Sequence, residues 1–414
     1  LNGLVLVVVT TVGLLSAIYA KRHVESELSD RISHFYTLFV LSITGILGMT
    51  ITGDAFNLYV LIEITSLTAY ALIVMGKGRA LMSAFNYIIL GTIGACFYLL
   101  GVGYLYIKTG SLNMGDLFQI LPAISGSTTV LVAFIFVMLG IWMKMSFFPL
   151  HGWLPNAYTY APTAAICMIA PLVTKVFVYV MIRVMFSVFS VDYVFQLLGG
   201  NAGVVWLSVV GIFAGSLYTL AQTNLKKMLT YIIITEVGYM VGGVWLANEY
   251  GLTGAIYHIV SDAMMTLCLF MAVGNIIYQT GNASFEGMRG VFRKMPLTMV
   301  GFVVGALSII GIPPTCGFFS KWYLISGGIA AGHWGFVAAL LFSSVVMAIV
   351  FFRLFEIGYF KSGHDQEVVP LGSNEAPKSM VFPLLIVAVS LIGIGLYTNE
   401  LVRTVIRFAL PEGL

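Results

Sequence analysis

KMSFFPLHGWLP, residues 144–155, and GIPPTCGFFSK, residues 311–321, each place prolines and a lysine inside a long apolar run. Proline removes a helix hydrogen bond and clashes with the preceding turn, so each run is expected to be a broken helix. In lipid a break is tolerated only where it faces protein or a water-lined cavity. Paired breaks in corresponding positions of two halves point to a transport repeat. Five apolar spans over residues 34–188 hold the first break in their fourth member, and five over 204–355 hold the second in theirs. Five is odd, so the second set is expected to lie inverted relative to the first. The alternative is chance placement of prolines.

Working outward, the chain of 414 residues is 59% apolar and only 9% charged, with a mean hydropathy of +0.99. A soluble domain carries about 25% charged residues. That gap excludes a soluble enzyme, a nucleic-acid binder and a disordered chain. The apolar segments are helix-length, without the ~10-residue alternation of an outer-membrane barrel. The fold class is therefore all-α, polytopic and membrane-embedded. With roughly 20 apolar residues per crossing, twelve spans are expected: 3–20, 34–53, 56–76, 80–107, 128–149, 161–188, 204–222, 228–247, 252–278, 297–328, 334–355 and 379–398. The organisation reads as an N-terminal span and loop (1–33), a first five-helix repeat (34–188), a second (204–355), and a loop, last span and tail (356–414). Residues 112–121 read as a short amphipathic interfacial helix. The first span resembles a signal peptide only weakly, since no basic region precedes it. Cys96, Cys167, Cys268 and Cys316 are scattered through apolar stretches and read as small buried hydrophobes. No metal site, Walker loop or nucleotide fingerprint is expected, and no cofactor.

Lysine and arginine counts in the loops set orientation. Lys21, Arg22, Arg31, Lys77, Arg79, Lys226, Lys227, Arg289, Arg293, Lys294, Lys361 and Lys378 fall on one side, and only Lys108, Arg403 and Arg407 on the other. The first side is expected to be cytoplasmic, in a cell inner (plasma) membrane.

The remaining basic residues, Lys144, Lys175, Arg183, Lys321 and Arg353, lie inside spans. An ionisable group at mid-membrane costs about 2.5–3.5 kcal/mol on insertion scales, so it is a functional candidate by default. Arg183 and Arg353 lie near span ends, where they can snorkel. Glu63 with Lys144, Lys175 and Lys321 form one acid and three lysines, a set that can ionise as a chain of sites. A buried lysine tends to lose its proton and a nearby carboxylate restores it. A static ion pair of Glu63 with one lysine is the competing reading, and it leaves two lysines unpartnered. His258, Asp262 and Thr266 follow at i, i+4 and i+8, hence on one helix face. They read as a proton relay through His258, with Asp262 as a further candidate, or as a packing cluster with Ser261. His151 reads as a brace for the unwound backbone. Glu236 reads either as a second-half echo of Glu63 or as part of tight packing near Gly238.

GDAFNLYVLIEITSLTAYALI, KMSFFPLHGWLPNAYTYAPTAAICMIAPLVTKVFVYVMIR, NLKKMLTYIIITEVGYM, the His258 helix and KMPLTMVGFVVGALSIIGIPPTCGFFSKWYLI follow one another in order. Together they resemble the proton-translocating membrane subunits shared by respiratory complex I, membrane-bound hydrogenases and Mrp-type cation/proton antiporters, over about residues 1–398. The resemblance implies that Glu63 and Lys144 tune a first proton site, that Lys175 is the central carrier, and that Lys321 is the terminal lysine. Lysine at 321 leans toward the Mrp antiporter or hydrogenase branch, with a complex I-like subunit as the alternative. The resemblance also implies other membrane subunits as partners, H+ and a counter-moving Na+ as the ions handled, and no redox centre in this chain. Two further helices are expected before the first span, so the chain looks N-terminally truncated. Three departures stand out. Asp262 and Thr266 replace a second histidine and a lysine of many relatives, Glu236 stands where relatives commonly have a neutral residue, and no long lateral helix is expected after 398.

Overall fold

The computed structural model describes residues 1–197, 199, 201–360 and 374–411; Lys361, one of the loop cations used for orientation, lies outside them. Every long apolar run becomes a helix. In chain order these are α1 (Asn2–Glu27), α2 (Ile32–Ile51), α3 (Ala55–Val74), α4 (Ala80–Thr109), α5 (Met114–Ile120), α6 (Thr128–Lys144), α7 (Leu154–Tyr160) and α8 (Thr163–Val184). They continue with α9 (Asn201–Leu220), α10 (Leu225–Trp245), α11 (Glu249–Thr280), α12 (Val291–Lys294), α13 (Pro296–Ile310), α14 (Cys316–Ala330), α15 (Trp334–Phe360) and α16 (Lys378–Leu396). Among the described residues, ten helices are long and apolar enough to cross a membrane. The other two expected spans are the ones that proline divides. The expected 128–149 is shortened to α6, which stops at the break with α7 beyond it, and the expected 297–328 divides into α13 and α14. The short helix expected over 112–121 is α5, with Asn113 as its N-cap.

The breaks follow from local chemistry. α6 ends at Lys144, and Ser146 takes a positive φ of 61°. The carbonyls freed there are reused: Phe147 N donates to Trp142 O at 3.0 Å and Trp153 Nε1 to Met143 O at 3.1 Å. α13 ends in the same way at Gly311, whose φ of 91° suits a residue with no Cβ. Pro171 interrupts α8 without ending it.

Burial sorts the helices. α8 and α11 are enclosed on all sides and α10 almost so, whereas α1, α3, α4, α9 and α15 keep about half of their spanning windows exposed. A helix apolar all round belongs in the middle of a bundle, and α11 packs against α8, α10, α13, α14 and α16. These three inner helices carry Lys175, Glu236, His258 and Asp262, all buried.

Two local arrangements occur twice. Asp54 caps α3 by accepting from Asn57 N at 2.7 Å, and Asn224 caps α10 by accepting from Lys227 N at 3.1 Å. Each cap is clipped to the segment after the following helix: Ala55 N to Leu112 O at 2.9 Å, and Leu225 N to Ala283 O at 2.8 Å. A Cβ at Gly45 would strike the Thr65 hydroxyl and one at Gly215 the Thr235 hydroxyl, so both helix pairs close on glycine. Both pairs and both caps are related by one constant offset along the chain.

Candidate functional site

The ionisable residues meet as three pairs and one remainder. Lys144, at the tip of α6, is buried and donates to Glu63 of α3 at 3.2 Å and to Ser66 Oγ at 2.7 Å. Glu63 and Ser66 are three residues apart, hence on one face of α3. The Glu63 side chain keeps 23% exposure, so this pair sits at the flank of the bundle.

The second pair corrects the expectation that two lysines lack partners. Lys175 Nζ of α8 lies 3.0 Å from Asp262 Oδ2 of α11, both fully enclosed. Thr266 joins them, accepting from Lys175 at 3.2 Å and donating to Asp262 Oδ1 at 2.8 Å. Lys175 also donates to Ala170 O at 3.3 Å. The i, i+4 spacing of Asp262 and Thr266 was visible in the sequence; their shared target on α8 was not.

One turn earlier on α11, His258 faces two ways. Its Nε2 makes a short contact with Glu236 Oε2 of α10, and its Nδ1 lies 2.8 Å from Ser320 Oγ of α14. Glu236 is fully buried, with Oε1 unpartnered among the described residues. At the offset that relates Gly45–Thr65 to Gly215–Thr235, Glu236 falls on Ser66 and Ile233 falls on Glu63. Glu236 therefore stands one turn from the position that this offset gives Glu63, and its partner is a histidine.

Lys321 is the remainder. Among the described residues no carboxylate lies within ion-pair distance of it. Its ammonium donates to Ile309 O at 2.6 Å, Ile310 O at 3.4 Å and Ser344 Oγ at 3.1 Å, and stands 5.2 Å from the Tyr239 ring centroid. The break after α13 frees those carbonyls, so the backbone itself solvates the charge. Tyr239 bonds Ser343 and lies one turn from Glu236. Ser66, Ser320, Ser344 and Tyr239 were missed in the sequence. Ser66, Ser320 and Tyr239 are each next to or one turn from a candidate, which is the signal that could have found them; Ser344 meets Lys321 only through the packing of α15 on α14.

The other intramembrane candidates take structural roles. Arg183 donates to Met49 O and Thr50 O at the end of α2, and Arg353 lies 5.6 Å from the Phe285 ring. The His151 ring stacks on Phe148 beside the break, and its backbone carbonyl accepts from Leu154 N.

Glu236, His258 and Asp262 offer ligand atoms within 4.8 Å of one another, close enough in geometry to hold a metal. The donor set does not fit one. Lys175 already neutralises Asp262, and a proton on His258 would neutralise Glu236. A divalent ion would add two positive charges beside an ammonium in a low-dielectric interior.

A family model for NADH:quinone oxidoreductase and Mrp antiporter transmembrane subunits matches residues 52–347, well over half of the chain. The chain is 42% identical over 424 aligned residues to NADH-quinone oxidoreductase subunit N of Desulforudis audaxviator, covering 99% of this chain and 83% of that one. It is 33% identical to the D-type subunit of the Na(+)/H(+) antiporter of Bacillus subtilis, covering 95% and 79%. Among solved structures it overlays a chain of an archaeal membrane-bound sulfane sulfur reductase complex with a TM-score of 0.86 at 32% identity, covering 95% and 78%. Proline-broken spans, three inner helices carrying paired charges and these likenesses converge: the chain belongs to the NADH:quinone oxidoreductase/Mrp antiporter transmembrane family, as an antiporter-like proton-translocating membrane subunit.

Proposed function

We propose that protons cross this subunit along Glu63–Lys144, Lys175–Asp262, His258–Glu236 and Lys321. The observation that carries the reading is the charge count. Three acids face three lysines and a histidine in the interior. With every base protonated the line holds one positive charge too many, so one proton is always the least well held. A carboxylate stabilises the protonated form of its neighbour, and losing that support promotes release. Protons therefore move by exchange of partners, each step altering the next site. Asp262 and His258 share a face of α11, and Ser320 beside Lys321 touches His258, which links the second pair to the remainder. The driving force comes from partner subunits, through a redox arm or a counter-moving sodium ion.

The paired caps and glycine contacts support two five-helix repeats, 34–188 and 204–355, inverted in a twelve-span subunit, with the basic loops on the cytoplasmic side of the inner membrane. Two hosts fit. Lysine at 321 favours an Mrp-type or hydrogenase-type assembly. The 42% identity to an NADH-quinone oxidoreductase chain favours a complex I-like one, with the redox chemistry in partner chains.

The test is Lys175→Met in the assembled complex, with proton movement measured in vesicles per amount of complex recovered. Methionine keeps the length and removes the charge. Loss of transport per recovered complex is expected, even though the variant is less stable; transport at the wild-type rate would remove Lys175 from the path.

A further inference from the structure

One line of polar groups lies outside this path, on α1. Tyr19, His23 and Glu27 follow at i, i+4 and i+8 and so share a helix face. Tyr19 and His23 are completely buried, whereas the Glu27 side chain is 29% exposed. Glu27 opens into a cavity of ≈ 200 Å³ that Lys77, Thr163 and Lys226 also line. The cavity lies at the basic-loop end of the bundle. His23 Nδ1 stands 3.7 Å from Glu27 Oε1, and His23 Nε2 stands 3.3 Å from Tyr19 Oη.

The bond directions fix the state of the ring. Tyr19 gives its one proton to Met271 O at 2.9 Å. His23 Nε2 must then be the donor in its contact with Tyr19. The Nδ1 atom is left buried, without a hydrogen-bond partner among the described residues, facing a carboxylate. Leaving a buried polar atom unsatisfied is destabilising, and a proton or a water delivered from the cavity relieves it. Inward of Tyr19, Ser16 Oγ donates to Cys167 O at 2.9 Å. That carbonyl is free because Pro171 has no N–H to offer it. Ala170 O, which Lys175 holds, is one turn further along α8. The buried Thr174 hydroxyl beside Lys175 has no partner among the described residues.

We propose that Tyr19, His23 and Glu27 form the proton uptake line that feeds Lys175 from the cavity at the basic-loop end. This inference rests on the reading of Lys175 as a carrier. A proton arrives on His23 Nδ1 from the Glu27 side, the proton on Nε2 passes to Tyr19 Oη, and Tyr19 releases its own hydroxyl proton inward, toward Ser16 one turn away on the same face of α1. The ring gains one proton and loses one, then returns by exchanging its tautomer, the ordinary behaviour of a histidine shuttle. The titratable groups facing this stripe are Tyr278 of α11, Lys226 of α10, Lys77 before α4 and Cys167 of α8. None of them belongs to the path already described.

The experiment compares His23→Ala, His23→Gln, Tyr19→Phe and Lys175→Met in the assembled complex reconstituted in vesicles. Rates are taken per assembled complex across a pH series, with and without imidazole. Loss of a positioned proton-transfer group costs about 100-fold in many enzymes; here a drop of about tenfold or more is expected for both His23 variants, because water in the cavity carries part of the flux. The pH profile should change shape, imidazole should restore part of the rate to His23→Ala only, and Tyr19→Phe should fall in the same direction. A drop without imidazole rescue and with an unchanged pH profile would mean that His23 only packs, and would overturn the proposal. Wild-type rates in the His23 variants alongside a dead Lys175→Met would also overturn it while leaving the Lys175 path intact. Wild-type rates in Lys175→Met would overturn that path instead, and this proposal with it.

Discussion

Asp262 and Lys175 should lose far more stability when parted than when removed together. They lie 3.0 Å apart and neither is exposed. At an effective dielectric of about 20, two unit charges at that distance attract by roughly 5 kcal/mol. Asp262→Asn leaves an ammonium with Thr266 and a single carbonyl; Lys175→Met leaves a carboxylate with Thr266 alone. Parting a buried pair typically costs about 3–5 kcal/mol, whereas replacing both charges with neutral groups of similar volume is often near neutral. Each single variant should therefore fall by about 3–5 kcal/mol and the double variant by about 1 kcal/mol or less. The assay is the denaturation midpoint of the assembled complex in detergent for all four members of the cycle. Additivity within about 0.5 kcal/mol, the behaviour of independent sites, would refute the pairing. Transport separates the two consequences: the double variant should be stable and inactive.

Glu63→Gln removes the charge but keeps the shape beside Lys144, so translocation should drop at least about tenfold with assembly intact, since even 1.36 kcal/mol of lost support is worth one such factor. Glu63→Asp should keep part of the activity, and an unaltered Gln variant would make the residue structural. Lys321→Met and Lys321→Arg should both stop transport, the first for want of a proton site and the second because a guanidinium does not give up its proton; full transport by the Arg variant would show that the proton at 321 never leaves. Cysteines at the exposed Ser29 and Thr223 should react with impermeant thiol reagents from the cytoplasmic face only, and cysteines at Gly126 and Glu400 from the opposite face only. The reverse pattern would invert the orientation and the basic-loop assignment.

The sequence exposed the helices and their breaks because both are local matters. Runs of about 20 apolar residues and prolines at 149, 155, 313 and 314 need no tertiary information. It also exposed which side chains are candidates, since charge is scarce in the spans. It did not reveal who faces whom. Lys175 and Asp262 are far apart in the chain, and their meeting depends on the packing of α8 against α11. Glu236 was ambiguous for the same reason, because its partner is fixed by the approach of α10 to α11. His23 went unnoticed because it lies at the end of a span beside exposed charges, where snorkelling side chains are common. Its burial is imposed by Tyr278 and Tyr19, which no one-dimensional pattern displays.

The depth of the broken helices has an electrical consequence. Lys144 ends α6 at the first break, Lys175, Glu236 and Glu63 lie near the middles of their helices, and the Lys321 ammonium is held at Ile309, beside the second break. If the proposed path is right, its charges form a row at similar depth, parallel to the bilayer plane. Moving one elementary charge through the full membrane potential involves about 2.3 kcal/mol per 100 mV, but a hop sideways at constant depth crosses almost none of that field. On the proposed path the transmembrane voltage would therefore act on the vertical legs, from the Glu27 cavity inward and from the row outward. The horizontal leg would work as an equipotential wire, set by the electrostatics of its own pairs.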